Sequence, residues 1–163
     1  VLKLVKEKAG WNDPANKKYS RGVAAYFCHS SYAAHVIDIV EKNGKPYIER
    51  VTSAVDCGIV VNPDAATNMV QGAVVDGIGN ALYGGITHKD GVPGQNNFNR
   101  YRLIRMREAP ERIDVHFVHN DIDPTGLGEP PFPPVFAAVA NALYKKTGKR
   151  FYNQPFYKDI PNA

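Results

Sequence analysis

The alternation of apolar and polar positions along the chain predicts strands in its first third. Residues 23–27, 32–40 and 47–55 are rich in β-branched and aromatic side chains, which favour strands. Asn43-Gly44 lies between the last two runs, and both residue types tolerate the positive φ that a tight hairpin turn requires. The pattern therefore predicts an antiparallel ribbon in this region.

Apolar residues at helical spacing predict three helices. Residues 1–9 form a short amphipathic pattern. A longer pattern begins at Asn62-Pro63-Asp64, where a capping side chain, a proline and an acidic residue each favour a helix N-terminus, and it runs to about Tyr83. The third pattern covers residues 135–146 and ends at Gly148, a residue type common just past a helix C-terminus.

Two further segments complete the predicted fold. Residues 86–91 are typical of a strand entering a turn, and residues 113–119 alternate with the period of a strand. Together the elements predict an α/β (α+β) fold in which a mixed sheet with antiparallel hairpins is packed by two main helices. A chain of 163 residues has the length of one ordinary domain, so residues 1–163 are predicted to form a single unit.

Composition narrows the class of protein. The net charge of +4 arises from scattered lysines and arginines, which indicates a solvated surface and predicts neither a nucleic-acid partner nor a membrane partner. No apolar run reaches the roughly 18 residues that span a bilayer, so we expect a cytoplasmic protein. Cys28 and Cys57 are too few for a disulfide framework and are predicted to be reduced. The chain begins at Val1, which is consistent with a piece of a longer protein.

Several familiar catalytic patterns are absent from the sequence. Gly72, Gly77 and Gly79 have the wrong spacing for a dinucleotide fingerprint and lie inside a predicted helix. Phosphate-loop, nucleophile-elbow and zinc-helix motifs do not occur. His116 and His119 are three apart on a predicted strand, so they should face opposite sides and not form a metal pair. The helical glycines indicate either tight packing between helices or close approach of a ligand.

Glu129 occurs in an unusual local sequence, Gly126-Leu-Gly-Glu-Pro-Pro-Phe-Pro-Pro134, directly before the third predicted helix. The glycines permit unusual backbone angles, and the prolines restrict them, so the carboxylate is predicted to be held in place. Two roles remain open from the residues alone. Glu129 could stabilise the start of the helix through the helix dipole, or it could act as a general base in a cleft.

Two blocks of sequence carry a resemblance to a known family. The segment from Gly126 to Leu143, followed by Thr147-Gly-Lys-Arg150, resembles the C-terminal part of the molybdenum hydroxylases. The segment from Ala54 to Asp64, followed by Gly72 and Ala81-Leu-Tyr-Gly84, resembles the pterin-side helix region of the same subunit. The similarity is strongest to the large subunit of isoquinoline 1-oxidoreductase and bacterial aldehyde dehydrogenase, within the xanthine oxidase family.

This resemblance implies a fold and a reaction. The expected fold is that of the C-terminal molybdenum-binding domain of the family, and the expected reaction is hydroxylation of an aldehyde or N-heterocycle carbon with oxygen from water. Glu129 matches the glutamate of the family's Gly-x-Gly-Glu-Pro motif and is thereby expected to be the general base. The pterin dithiolene holds the metal in this family, so no protein ligand to molybdenum is expected.

The resemblance also assigns cofactor contacts. Met69, Gln71, Gly72 and Gly128 are expected to contact the molybdopterin. Met69 stands where the family usually has a glutamine that hydrogen-bonds the pterin, and Gln71 follows two places later. His29-Ser-Ser31 stands where the family often has Phe-Gly-Ser, and Ala137 replaces a usual proline; the glycine-rich pterin loops that precede this region in the family are absent.

The resemblance implies several partners. These are an upstream molybdopterin-binding region or chain, a small subunit that carries iron–sulfur clusters, and a small-molecule substrate; a homo-oligomer formed through the helix from Pro63 to Tyr83 is a further expectation. The isolated chain is predicted to be inactive and to bind no cofactor. The alternative is a truncated or split remnant that associates with partner chains without catalysis. A periplasmic location is expected instead if a missing N-terminal part carries a signal.

Overall fold

The structure is a computed structural model that describes residues 1–160. Its helices are α1 (Leu2–Lys8), α2 (Pro63–Leu82) and α3 (Pro133–Thr147). Its strands are β1 (Ser20–Cys28), β2 (Ser31–Lys42), β3 (Lys45–Asp56), β4 (His88–Lys89), β5 (Val92–Pro93) and β6 (Arg112–Phe117). Short 3₁₀ turns occur at Pro14–Lys18, Met106–Glu108 and Phe156–Asp159.

The main sheet has the strand order β1-β2-β3-β6. Strands β1, β2 and β3 form an antiparallel meander, and β6 adds to β3 in the parallel sense. The mixed sheet predicted from the sequence is therefore confirmed. The Asn43-Gly44 hairpin is also confirmed, since both residues have positive φ and Lys42 pairs with Lys45.

The turn between β1 and β2 was not predicted. It consists of His29 and Ser30, which have φ values of 49° and 60°, and it is closed by pairing of Cys28 with Ser31. Positive φ is uncommon for residues other than glycine. His-Ser contains neither the glycine nor the asparagine that marks a two-residue hairpin, so this turn has no local signal in the sequence.

The two faces of the sheet are covered by different helices. Side chains alternate between the faces with period two, so neighbouring residues of β2 enter different clusters. Ile37 and Ile39 pack with α2 and α3, whereas Ala34 and Val36 pack with α1. The larger core therefore lies between the sheet and the two main helices, as the sequence predicted.

Helix α2 has the N-terminus that its sequence predicts. The Asn62 side chain accepts a hydrogen bond from the Ala65 amide, and Pro63 occupies the first turn. A Cβ on Gly77 would lie 2.8 Å from Val135, and one on Gly79 would lie 2.9 Å from Ile104. Tight packing inside the chain therefore explains these two glycines, and self-association through α2 stays a prediction.

Helix α3 begins at Pro133, two residues earlier than predicted, and ends before Gly148, which has a φ of 73°. Its backbone lies directly on β1 at Gly22. A Cβ at Gly22 would be 2.1 Å from the Ala138 carbonyl oxygen and 2.3 Å from the Ala142 nitrogen. Glycine at this position allows the helix to contact the sheet backbone.

Three smaller expectations have different outcomes in the structure. The strand predicted over residues 86–91 is instead the two-residue strand β4 of a small separate ribbon with β5. His116 and His119 were expected to face opposite sides of one strand. Strand β6 ends at Phe117, so His119 lies beyond the strand and this expectation does not apply to it. Cys28 and Cys57 are free thiols, as predicted.

Two kinds of feature are absent from residues 1–160. The helices of this described part include none with the length and apolar character needed to cross a membrane. The same residues contain no cluster of histidine, cysteine and acidic side chains suited to a metal ion.

Candidate active-site cleft around Glu129

Glu129 lies on the loop between β6 and α3. Its carbonyl oxygen accepts a hydrogen bond from the Phe132 amide at 2.9 Å, which forms a tight turn before the helix. The N-cap of α3 is Phe132, and the first turn of the helix contains no acidic residue. Dipole effects fall off within the first turn, so the structure does not support the helix-start role for Glu129.

The Glu129 side chain is 80% exposed and lines an open cleft of about 630 Å³. One wall of this cleft is a face of α2. The rest of its lining comes from the end of β1 with its turn to β2, from the loop with Glu129 and from the start of α3. The lining residues are Tyr26, Cys28, His29, Asn68, Met69, Gly72, Ala73, Asp76, Gly128, Glu129, Phe132 and Pro133.

The α2 wall has one lining residue without a side chain, Gly72. Met69, Gly72 and Asp76 are spaced so that they share one face of the helix. A Cβ added to Gly72 would meet nothing within 4 Å, and one added to Gly128 would approach only the Met69 sulfur, at 3.9 Å. Unlike Gly77, these two glycines therefore face open space in the cleft.

His29 contacts the carboxylate of Glu129 directly. Its Nε2 lies 2.7 Å from Glu129 Oε2, and the His29 side chain is 58% exposed. A carboxylate only accepts hydrogen bonds, so the imidazole Nε2–H is the donor. This pair has no signal in the sequence, because the two residues are separated by 100 positions.

The β1–β2 turn also holds the backbone of the loop that leads to Glu129. The Gly126 amide donates to the His29 carbonyl at 3.1 Å, and a Cβ at Gly126 would lie 2.6 Å from His29 Cβ. The Ser31 hydroxyl donates to the Gly126 carbonyl and lies 2.6 Å from Thr125 Oγ1. Glycine at position 126 thus permits the close approach that joins loop and turn.

A second anchor comes from His35 in the middle of β2. His35 Nε2 lies 2.7 Å from the Pro131 carbonyl oxygen, and Nδ1 lies 2.8 Å from Ser53 Oγ. The carbonyl can only accept, so Nε2 carries the proton and Nδ1 accepts from the serine hydroxyl. Burial lowers the pKa of His35 from 6.5 to about 4, and this effect outweighs that of the Pro131 carbonyl, which favours the charged ring. His35 is therefore neutral near pH 7 and fixes the loop two residues after Glu129.

Four of the five site residues expected from the sequence line the same cleft. These are Glu129, Met69, Gly72 and Gly128. Gln71 does not join them, because its side chain donates to the carbonyl of Ile113 in β6 at 3.1 Å. The structure adds other lining residues that the sequence analysis did not single out, among them His29, Asn68 and Asp76. Helical spacing from Met69 could have identified Asp76.

The cleft fits contact with one side of the molybdopterin that the resemblance implies. The bare helix surface at Gly72 lets a flat polar group approach the backbone, and Asn68 offers an amide donor and acceptor at the same wall. In the described residues, metal-binding clusters of side chains are lacking. A metal held by its own cofactor is compatible with this set of residues.

Comparison with known proteins gives a match over most of the chain. Residues 4–110 match the family described as the molybdopterin cofactor-binding domain. The membrane-bound aldehyde dehydrogenase (pyrroloquinoline-quinone) of Gluconacetobacter polyoxogenes is 31% identical over 119 residues, which cover 73% of this chain and 15% of that protein. Isoquinoline 1-oxidoreductase subunit beta of Brevundimonas diminuta is 27% identical over 161 residues, which cover 95% of this chain and 20% of that protein.

Solved structures show the same fold. The aldehyde oxidoreductase of Desulfovibrio desulfuricans superposes with a TM-score of 0.66 at 18% identity, over 84% of this chain and 17% of that one. This chain spans about a fifth or less of the length of the two curated relatives described above. The resemblance and the fold class inferred from the sequence are confirmed by these matches.

Proposed function

Because the chain belongs to the molybdopterin cofactor-binding domain family, we propose that it forms the C-terminal part of the large subunit of a molybdenum hydroxylase. The proposed reaction is hydroxylation of an electrophilic carbon in an aldehyde or N-heterocycle, with Glu129 as the general base. The names of the relatives support this substrate class, since they include an aldehyde dehydrogenase and an isoquinoline oxidoreductase. The proposed partners are an upstream cofactor-binding region and an iron–sulfur subunit.

The observation that carries the proposal is the position of Glu129. Its backbone is held by the tight turn to Phe132. On either side of it, Gly126 is hydrogen-bonded to the β1–β2 turn, and Pro131 is hydrogen-bonded to β2. The carboxylate itself projects into the cleft and is accessible. A general base needs this combination of fixed geometry and access to the reacting proton.

The other carboxylate in the cleft, Asp76, differs in its surroundings. Its Oδ1 accepts a hydrogen bond from the Asn80 side chain at 2.8 Å, within one turn of α2. Asp76 is therefore hydrogen-bonded to its own helix, whereas Glu129 lies on a loop that is hydrogen-bonded to the β1–β2 turn and to β2. This difference favours Glu129 over Asp76 as the proton acceptor.

Some residues of this chain would bind the cofactor, and another would accept the proton. Gly72 and Asn68 would hold one side of the cofactor at the α2 wall, and Met69 would contribute a weak thioether acceptor. The molybdenum cofactor supplies the two-electron redox chemistry when bound. Glu129 would accept the proton released as the new carbon–oxygen bond forms. Tyr26 and Phe132 would provide apolar surface for an aromatic or aldehyde substrate.

The test is turnover by the molybdenum-loaded enzyme that contains this chain with Glu129→Gln. The amide keeps the shape of the side chain but cannot accept the proton, so we expect kcat to fall by roughly 10²–10⁴. Folding and molybdenum content should be unchanged, because the side chain is exposed.

Asp76→Asn is the matched control, because it neutralises the other cleft carboxylate. It should change kcat by less than about tenfold, a small effect beside that of a general base. The general-base assignment fails if Glu129→Gln, with full molybdenum content, retains more than about a tenth of the wild-type rate.

A further inference from the structure

The Glu129 carboxylate is held by a single side chain. In the described part of the chain, its one hydrogen bond is the 2.7 Å contact from His29 Nε2 to Oε2. Oε1 has no such contact with these residues, and the Glu129 side chain lines the open cleft. The two carboxylate oxygens therefore differ in their environment, although the side chain is mostly exposed.

The backbone fixes His29 independently of this pair. An exposed pair of side chains contributes little stability by itself, so the pair alone would not order either group. His29 lies in a two-residue turn with a φ of 49°, and its carbonyl accepts from the Gly126 amide. The turn and the Glu129 loop are joined again through Ser31 and Thr125. The donor and the carboxylate are thus presented to each other by a common backbone framework.

We propose that His29 is a positioning residue for Glu129: its Nε2–H holds Oε2 so that Oε1 is the oxygen presented to the reacting proton. This inference rests on the proposed function of Glu129. A hydrogen bond to a carboxylate stabilises its ionised form, which is the form that accepts a proton. It also restricts the torsions of a long side chain, and correct orientation of a catalytic group is a large part of catalysis.

The proton count of the step is simple. The His29 ring donates its Nε2–H to Glu129 Oε2 and keeps that hydrogen throughout the transfer. Glu129 begins as a carboxylate and takes one proton on Oε1 to become a carboxylic acid, while the bond from His29 to Oε2 remains. His29 contacts Glu129 and is not required to gain or lose a proton.

The pair itself is tested by nuclear magnetic resonance on the full chain without any assay of activity. Nitrogen shifts of the His29 ring should show the Nε2–H tautomer in the wild type, because the carboxylate accepts from Nε2. In Glu129→Ala this acceptor is gone, so the ring should populate both tautomers. The exposed His119 provides an internal comparison and should not change. Identical His29 tautomer populations in both proteins would overturn the inference.

The positioning role is tested by two substitutions in the molybdenum-loaded enzyme. His29→Phe removes the donor, and His29→Gln keeps an N–H near the position of Nε2. Misplacement of a catalytic group by about 1 Å can lower rates about 10²-fold, so kcat should fall by about tenfold or more in His29→Phe with KM little changed. His29→Gln should restore most of the rate.

The outcomes separate this inference from the proposed function. Wild-type kcat in His29→Phe, together with an inactive Glu129→Gln, would overturn the positioning role and leave the general base intact. Equal losses of kcat in His29→Phe and His29→Gln would also overturn the role, because the donor would then not be the property that matters. An active Glu129→Gln would instead refute the general-base assignment.

Discussion

His35 should make the stability of this protein depend on pH in a defined window. The ring is buried, donates to the Pro131 carbonyl and accepts from Ser53. Folding lowers its pKa from 6.5 to about 4, chiefly through desolvation. In this window the unfolded chain binds more protons than the folded chain, so the free energy of unfolding rises with pH. The contribution is complete above pH 6.5 and is lost as the pH falls toward about 4.

The size of the effect follows from the shift. A difference of about 2.5 pH units, at 1.36 kcal/mol per unit, corresponds to roughly 3 kcal/mol of stability lost between pH 7 and pH 4. This loss is a large fraction of the free energy of unfolding of a typical domain, which is about 5–15 kcal/mol. Protonation would leave a charged imidazole in the core, and it would also replace the Nδ1 acceptor facing the Ser53 hydroxyl with a donor.

Urea denaturation from pH 4 to pH 7 measures this term when wild type is compared with His35→Gln. Glutamine keeps one donor and one acceptor but does not titrate, so the stability difference between the two proteins should change by roughly 3 kcal/mol across the range. The pKa of His116 is also lowered, first by partial burial and then by the charge of Lys8. His116 therefore contributes to the pH dependence of stability with the same sign as His35. His116→Gln serves as the control, because it should leave the His35 term in place.

A stability difference between wild type and His35→Gln that is constant from pH 4 to pH 7 would refute the reasoning. It would mean that the ring is reached by water or is already charged in the folded protein. A large loss in His35→Gln at every pH, without pH dependence, would show that His35 contributes through packing and hydrogen bonding alone.

A matched pair of glycine substitutions tests the packing and the cleft wall. Gly22→Ala places a methyl group 2.1 Å from the Ala138 carbonyl oxygen, so it should lower the free energy of unfolding by about 1–3 kcal/mol or more. Gly72→Ala meets nothing within 4 Å, so denaturation should show a gain of up to about 1 kcal/mol from helix propensity. The same Gly72→Ala change should lower the molybdenum content of the loaded enzyme if the cofactor approaches the bare helix surface. Equal losses of stability in Gly22→Ala and Gly72→Ala would contradict the difference in packing between the two glycines.

The secondary structure was predictable wherever a local signal exists. Asn62 with Pro63 predicts the start of α2, Gly148 predicts the end of α3, and Asn43-Gly44 predicts the turn between β2 and β3; all three are present. These three features depend on the backbone preferences of single residues, which can be identified from the sequence alone. The parallel pairing of β6 with β3 has no such signal, because it depends on how α2 and the following loop cross the sheet.

The cleft was predictable only in part. The resemblance identified Glu129, and α2 brings Met69 and Gly72 to the same cleft. The contact from His29 could not be predicted, because the residue lies in a turn without a turn signature and meets Glu129 only through the folded sheet. Gln71 was expected in the cleft from the resemblance, but its side chain donates to the Ile113 carbonyl instead. A similar position in the sequence does not determine the direction of a side chain.

The order of the chain implies that the cleft forms late during folding. The β1–β2–β3 meander has two-residue turns and local pairing, whereas the Glu129 loop reaches its anchors across sequence separations of 94 to 100 residues. Contacts between distant residues carry a larger loop-closure entropy and tend to form after local ones. The loop should therefore also open first in the native state, so that the Gly126 amide exchanges hydrogen with solvent while the Val36 amide stays protected.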